Sequence, residues 1–387
     1  MCKNNDKYRN NDKPKLNDDK VLGQAKKTLE IYLPLEADGY CVTSETLYDI
    51  LIGIAANRGT TESVCAELAG APDPETIRGY FREQFIVEQL PELECSINDG
   101  LAANWPKKLR RGGAVEVAFD FHDRPYYGKQ KQEEGLWVRG EAKDGTTRFY
   151  RVATAYAIQH GQRVTLAIRF VLPGDQTVEV VRDLRQRLLL RALRIGVLYL
   201  DKGFSGVPVL KYLRRSKQAA LIACPIRGKK GGTRALCRGR ASYRTSYAFN
   251  EGKEEEFRAQ LAVCRVFTTS RRTKRGKRRA EWLLFIMIAL DSRAGAVSAK
   301  IQEAFWRRDE LSAGQQTVGL DDFAQSRLSL RADRPGIFAA QPVGAFVLAI
   351  HASSASRTTR LCSISISPSA LYQLFETCFG THLWHGQ

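Results

Sequence analysis

The sequence predicts an α/β fold: a mixed sheet flanked by helices, preceded by a helical N-terminal region and followed by a β-rich insertion. Three observations predict it. Two short apolar runs, Ala114-Val115-Glu116-Val117-Ala118-Phe119-Asp120 and Ile195-Gly196-Val197-Leu198-Tyr199-Leu200-Asp201, each end in an aspartate. Runs of that length read as buried strands. Strand-like and helix-like periodicities alternate between and after these runs, whereas residues 21 to 110 keep helical spacing throughout.

The chain has 387 residues, enough for two or three domains with a sizeable core. Sixty Lys and Arg against 42 Asp and Glu leave a net charge of +18 and a pI near 9.6. That is the electrostatic footprint of a polyanion binder. No apolar run approaches a membrane span, and the N-terminus is polar and charged rather than a signal peptide. A cytoplasmic protein without membrane partners is expected. The nine cysteines, at 2, 41, 65, 95, 224, 237, 264, 362 and 378, form no CxxC pair. They are expected to be reduced and mostly buried. The five histidines are not spaced for a shared metal ion.

Residues 1 to 20 are rich in Asn, Asp and Lys and read as disordered. Within 21 to 110, Thr60 to Leu68 reads as a capped short helix. Ala69 to Pro74 breaks the pattern, and Glu75 to Phe85 resumes it with Arg78 and Arg82. Two short helices around a tight break are compatible with a helix-turn-helix, so this region is a candidate DNA-binding domain. From 111 to 226 the predicted order is the Asp120 strand, strands over Arg148 to Gln159 and Gln162 to Leu172, and a helix over Asp175 to Leu193. The Asp201 strand, a helix over Val207 to Ser216 and a strand over Ala219 to Pro225 follow. A crossover helix between the third and fourth strands is what parallel neighbours require, and this order sets the first and fourth strands side by side.

Residues 227 to 290 read as the β-rich insertion, with strands at Cys264 to Thr269 and Glu281 to Leu290. The hairpin between them carries Arg271, Arg272, Lys274, Arg275, Lys277, Arg278 and Arg279 within nine residues. A cationic hairpin tip of that density is a candidate phosphate clamp, which would make DNA affinity steeply salt-dependent and position DNA without reading its sequence. Arg227-Gly228-Lys229-Lys230 is a second basic patch near the same edge.

Strand ends are where ligands and metals gather in α/β sheets. Two carboxylates from separate strands make an oxygen-only site suited to Mg²⁺. Each aspartate opens its own motif: Phe121-His122-Asp123-Arg124-Pro125-Tyr126-Tyr127-Gly128 after the first, Lys202-Gly203-Phe204 after the second. These words and the order of elements between them resemble the DDE transposases of bacterial and archaeal insertion sequences. Members of that family carry a strand ending in Asp followed by Pro-Tyr-x-Gly, and a later strand ending in Asp-Arg/Lys-Gly-Phe. The resemblance covers roughly residues 20 to 290. It implies an RNase H-like core with Asp120 and Asp201 as the first two acidic residues, holding Mg²⁺ or Mn²⁺. Asp123 is the runner-up for the first position, expected past the strand as a turn cap. Tyr126 and Tyr127 are expected either at the mouth of the site or as a packed pair. The resemblance also implies cleavage and transfer of DNA strands at terminal inverted repeats and target DNA, by an oligomer in a synaptic complex.

The family's third carboxylate, a Glu on a helix rich in Tyr and Arg, has no counterpart in frame. After about residue 290 the chain becomes rich in Ser, Ala and Arg and loses periodicity, so 291 to 387 reads as an aberrant tail. Read one nucleotide later, codons for Lys300 to Ala313 permit R-Y-R-R-R-F-G-V-E-T-S-Y-R-Q, which resembles the missing word. Its glycine is forced by Trp306 followed by Arg307, and its glutamate straddles the codons of Arg308 and Asp309. The expectation is a shift of reading frame between about residues 288 and 299 that impairs catalysis. Glu303 and Glu310 are the in-frame substitutes. The alternative is a non-catalytic DNA-binding remnant that occupies element ends; a third reading is a general nuclease on the same core.

Overall fold

The computed structural model describes residues 18–57, 60–68, 70–128, 135–143, 145–159, 162–269, 278–294, 296–297, 349–350 and 364–365. Six helices come first: α1 (Asp18–Tyr32), α2 (Ser44–Asn57), α3 (Thr61–Glu67), α4 (Pro74–Gln84), α5 (Leu90–Ala103) and α6 (Lys107–Arg110). Local chemistry starts the short ones. Thr60 and Ser63 form a reciprocal capping box ahead of α3, and the Asp73 carboxylate accepts from the N–H groups of Glu75 and Thr76 with Pro74 at the first turn of α4.

The strands of the main sheet are β1 (Val115–Pro125), β2 (Val138–Lys143), β3 (Thr146–Gln159), β4 (Gln162–Val171), β5 (Ile195–Leu200), β6 (Ala220–Cys224), β7 (Tyr243–Phe249), β8 (Phe257–Thr269) and β9 (Arg278–Ile288). Helix α7 (Thr177–Leu190) links β4 to β5, and α8 (Val207–Arg215) links β5 to β6. These nine strands form one sheet in the order β2-β3-β1-β5-β6-β9-β8-β7, with β4 also paired to β3, while two short strands, β10 (Ala349–Ile350) and β11 (Ile364–Ser365), pair separately. Its central strands run β4-β3-β1-β5-β6. The first two pairings are antiparallel, and the pairings of β1 with β5 and of β5 with β6 are parallel. The strands of the 227–290 region continue this sheet, since β6 pairs antiparallel with β9.

One face of the sheet is covered by α7 and α8: Val117, Phe119, Leu198 and Leu200 pack with Val181, Leu184, Leu188, Leu210 and Leu213. At the β3–β4 end of the opposite face, Tyr150, Val152, Ile168 and Phe170 share a core with Leu47, Ile50, Ile77 and Phe81 of the N-terminal helices. Farther along that face, Ala118, Tyr156, Tyr199, Leu221, Phe285 and Met287 pack with Ala294 and Val297.

Helix α5 closes the free edge of β4. Asn98 donates to the Ile168 carbonyl (3.0 Å) and accepts from the Ile168 N–H (2.8 Å), so one side chain stands in for a missing strand. Glu94 accepts from the Phe170 N–H at 2.6 Å and is paired with Arg187 of α7. Burial pushes the Glu94 carboxyl above its ordinary value, against the pull of Arg187 and the Phe170 N–H.

Among the described residues no helix is long and apolar enough to cross a membrane, and the six described cysteines are free, with Cys65, Cys224 and Cys264 buried and Cys41 and Cys95 exposed. The structure differs from the sequence expectation at two edge strands, β2 and β7. In the first, Val-Arg-Gly-Glu-Ala-Lys alternates intermediate and exposed positions with little apolar content. In the second, burial alternates only between intermediate and exposed. Edge strands of this kind lack the apolar run that marks a central strand. Most of the expected frame-shift junction, 288 to 299, is described, whereas the stretch 300–313 that would show the shift, with Glu303, Asp309 and Glu310, lies wholly outside the described residues.

Candidate active site

The parallel ladder between β1 and β5 ends at Phe119 paired with Leu200. The next residues on the two strands are Asp120 and Asp201. Neighbouring strands lie about 4.8 Å apart, so the two backbones are adjacent at this row. The alternation of side chains places both carboxylates on one face. Phe119 and Leu200 belong to the core under α7 and α8, while Ala118 and Tyr199 belong to the core on the other side. Asp120 and Asp201 follow Ala118 and Tyr199 by two residues and share their face. Asp201 keeps extended backbone angles (φ −70°, ψ 169°), which preserves the alternation.

Asp120 is 7% exposed, whereas Asp201 is half-buried. Beside Asp120 in the β1–β3 ladder stands Thr154, wholly buried, whose hydroxyl is 3.0 Å from His122 Nε2. The Asp201 side chain does not cap the short 3₁₀ turn Lys202–Phe204 that it precedes, and among the described residues it has no hydrogen-bond or ion-pair partner. An all-oxygen pair at the point where two parallel strands part suits a hard divalent cation such as Mg²⁺ or Mn²⁺. Among the described residues no three Asp, Glu, His or Cys side chains gather into a metal site; Asp120 and Asp201 stand as a pair.

Three expectations need correction. Strand β1 does not stop at Asp120. It runs to Pro125, paired with β3 throughout, and only its pairing with β5 ends at Phe119. Asp123 is therefore a strand residue and not a turn cap, and the alternation puts it on the face opposite Asp120. There it meets Arg151 in a two-pronged ion pair of 2.6 and 2.8 Å, with the guanidinium also lying over Phe121. Tyr126 and Tyr127 do not act together. Tyr126 is buried between Trp137 and Tyr150, and Tyr127 is 69% exposed.

The 3₁₀ turn after Asp201 is held by its aromatic. Phe204 is buried and stacks on Phe121 with ring centroids 4.2 Å apart. The Gly-Phe of the second motif thus locks onto the Phe of the first, which couples the segments carrying the two aspartates. His122 and Thr154 were not singled out from sequence. His122 lies inside the first motif, and nothing local marks Thr154.

The β8–β9 stem reaches past this edge. Cys224 of β6 pairs with Leu284 of β9, and β9 begins six residues earlier at Arg278. At about 3.4 Å per residue, the stem extends roughly 20 Å past the end of β6, on the side where Asp201 lies. Arg278 and Arg279 open β9; Arg271, Arg272, Lys274, Arg275 and Lys277 lie outside the described residues. In the N-terminal region, Arg78 is ion-paired with Glu62 and Glu75, and Arg82 with Glu75. Both arginines of the candidate helix-turn-helix are thus engaged within the α3–α4 unit.

No family model matches the sequence, and no curated protein does. Among solved structures, the chain is similar to a piggyBac transposase synaptic complex with hairpin DNA. The superposition has a TM-score of 0.38 and 13% identity, and it covers 71% of this chain and 59% of that one. The chain therefore spans less than two thirds of the length of that transposase. The strand order and the aspartate row stand independently of that superposition.

Proposed function

We propose that this chain carries the frame of a DDE transposase of the insertion-sequence type, with an RNase H-like core that cleaves and transfers DNA strands with Mg²⁺ or Mn²⁺. The observation that carries the reading is the shared row of Asp120 and Asp201, at the end of a parallel ladder in a β4-β3-β1-β5-β6 sheet. Three antiparallel strands followed by two parallel ones, joined through α7 and α8, support the RNase H-like reading. The excess of Lys and Arg supports DNA as the partner.

Asp120 and Asp201 would hold the metal. When bound, it would activate a water or 3′-hydroxyl and stabilise the leaving oxygen of an in-line phosphoryl displacement. The chain's own contribution is positioning. Asp120 is fixed by the ladder with β3, and Asp201 by a turn whose Phe204 is stacked on Phe121. The hairpin that rises beyond this edge would hold the DNA backbone. The third carboxylate of such a site has no in-frame counterpart, which supports impaired catalysis and a displaced reading frame after about residue 288.

The test begins with the DNA across codons 285 to 315. An open shifted frame encoding the Glu-containing word supports a disrupted gene, and a closed frame overturns that part. The protein as it stands and one with the frame restored are then given DNA carrying the element ends, with Mg²⁺ or Mn²⁺. Restored cleavage that is lost in Asp120→Asn and Asp201→Asn is the expected result. Cleavage unaffected by either substitution would overturn the assignment. DNA binding without divalent-dependent nicking in both proteins would favour the non-catalytic, end-occupying reading.

A further inference from the structure

Beyond the carboxylate pair, the chain places a second built feature on the same edge of the sheet. Leu200 pairs with Ile222, so Asp201 lies in the row of Ala223, and β6 ends one residue later at Cys224. The segment that leaves the sheet there, Pro225 to Arg234, is folded tightly on itself. Thr233 donates its hydroxyl to the Pro225 carbonyl and accepts from the Arg227 N–H, both at 2.8 Å. The Arg234 N–H donates to the Arg227 carbonyl at 3.1 Å, and its guanidinium donates to the Gly228 carbonyl at 2.6 Å.

Two glycines make this fold possible. Gly228 and Gly232 have φ of +96° and +63°, in the left-handed region. A Cβ on Gly228 would fall 2.3 Å from the Gly231 carbonyl oxygen, and one on Gly232 would fall 2.9 Å from the Arg227 carbonyl oxygen. Lys229 and Lys230 stand between them, both exposed. Among the described residues neither has a carboxylate partner. From Pro225 to Asn250 the sequence contains seven Lys and Arg and no Asp or Glu. The loop's crossed backbone, uncompensated lysines and place beside Asp201 together describe a surface prepared for an anion.

We propose that the loop Arg227–Arg234 is a preformed grip for the DNA phosphate backbone, one strand away from the carboxylate pair; this rests on the reading of the chain as a DNA-processing enzyme. Lysines act on phosphate as point charges, and such contacts fix the duplex without selecting its sequence. The closed conformation lowers the ordering cost on binding, because the lysines are presented by backbone that is already fixed. This loop holds the DNA next to the aspartates.

The experiment measures binding of the full chain to two fluorescein-labelled DNA duplexes of unrelated sequence, by anisotropy from about 50 to 200 mM salt. The double variant Lys229→Ala/Lys230→Ala should lower the slope of log K against log salt by about 1.8, the value for two phosphate contacts. Its affinity should fall about tenfold or more, equally on both duplexes. Gly228→Ala keeps every charge but breaks the loop's shape, and should weaken binding in the same direction. Lys253→Ala, in the turn at the opposite edge of the sheet, should bind as the parent does. A parent that binds DNA with a steep salt slope that the double lysine variant leaves unchanged would overturn the grip alone. A parent that binds neither duplex would overturn the reading of function on which it rests.

Discussion

Asp120 and Asp201 occupy one row of the sheet, one residue beyond the Phe119–Leu200 pair that closes the parallel ladder of β1 and β5. Two carboxylates on one face at neighbouring strand ends repel unless a cation lies between them. Mg²⁺ or Mn²⁺ should therefore raise the melting temperature. A concentration ten times Kd contributes about 1.4 kcal/mol, or roughly 2 °C for a chain of this length. Asp120→Asn and Asp201→Asn should each abolish the metal-dependent shift, and Asp201→Asn in EDTA should melt no lower than the parent. A shift that persists in both variants would place the ion elsewhere.

The edge of β4 is sealed from helix α5 by Asn98, beside Glu94 on the Phe170 N–H. Asn98 satisfies both the N–H and the carbonyl of Ile168 from helix α5, and it is 1% exposed. Asn98→Ala leaves two buried backbone groups without this partner, and each unsatisfied group costs about 1–3 kcal/mol. Urea unfolding should show a loss of about 3 kcal/mol, with faster amide exchange at Ile168. A loss below roughly 0.5 kcal/mol, the scale of ordinary surface changes, would show that the helix does not seal this edge.

The central strands and the two linking helices were legible because their apolar residues recur at fixed periods. Val181, Leu184 and Leu188 in α7, and the runs that end in Asp120 and Asp201, show that pattern. The adjacency of strands one and four, and with it the shared row, was expected from the RNase H-like topology that the resemblance implies; a crossover helix alone requires only some parallel neighbour. What lay outside reach was set by partners distant in sequence. Asp123 looked like a turn residue because its partner Arg151 is 28 positions away, and that ion pair lets β1 continue past the apolar run. Asn98 and Glu94 carry no local signature, because the backbone groups they bind are 70 and 76 residues on. Arg78 meets Glu62, 16 positions away, an ion pair with no local signature.

Glu94 and Arg187 should make stability depend on pH in a defined direction. Burial raises the Glu94 carboxyl above its ordinary 4.5, and Arg187 holds that rise down. A carboxyl with a raised folded-state value keeps its proton when the unfolded chain has released it, so its contribution to stability falls as pH rises above about 4.5. Arg187→Ala removes the restraint and should enlarge that fall. The deficit against the parent should be small near pH 4.5 and grow toward about 3 kcal/mol near pH 8, the cost of stranding a buried carboxylate. Denaturation of both proteins at the two pH values measures it. A deficit independent of pH would mean that Arg187 acts through packing alone. Glu94→Gln, which does not titrate, should abolish the pH dependence of the Arg187→Ala deficit.

Cys224 ends β6 immediately before the basic loop, and its thiol is pushed up to about 12 by burial, with Arg227 pulling weakly the other way. The thiolate is the reactive form, so at pH 8 Cys224 stands almost wholly as the unreactive thiol. Exposed Cys41 and Cys95 should be alkylated by iodoacetamide at that pH, while Cys224 and the buried Cys65 and Cys264 stay unmodified until denaturant is added. Peptide mass spectrometry against time separates the two groups. The comparison also tests whether β6 stays closed where it meets the loop. If Cys224 reacted as fast as Cys41, the end of β6 would open readily in solution, and the row that aligns Ala223 with Asp201 would not be a fixed platform. If it stays protected with and without DNA, the loop is held on closed sheet in both states.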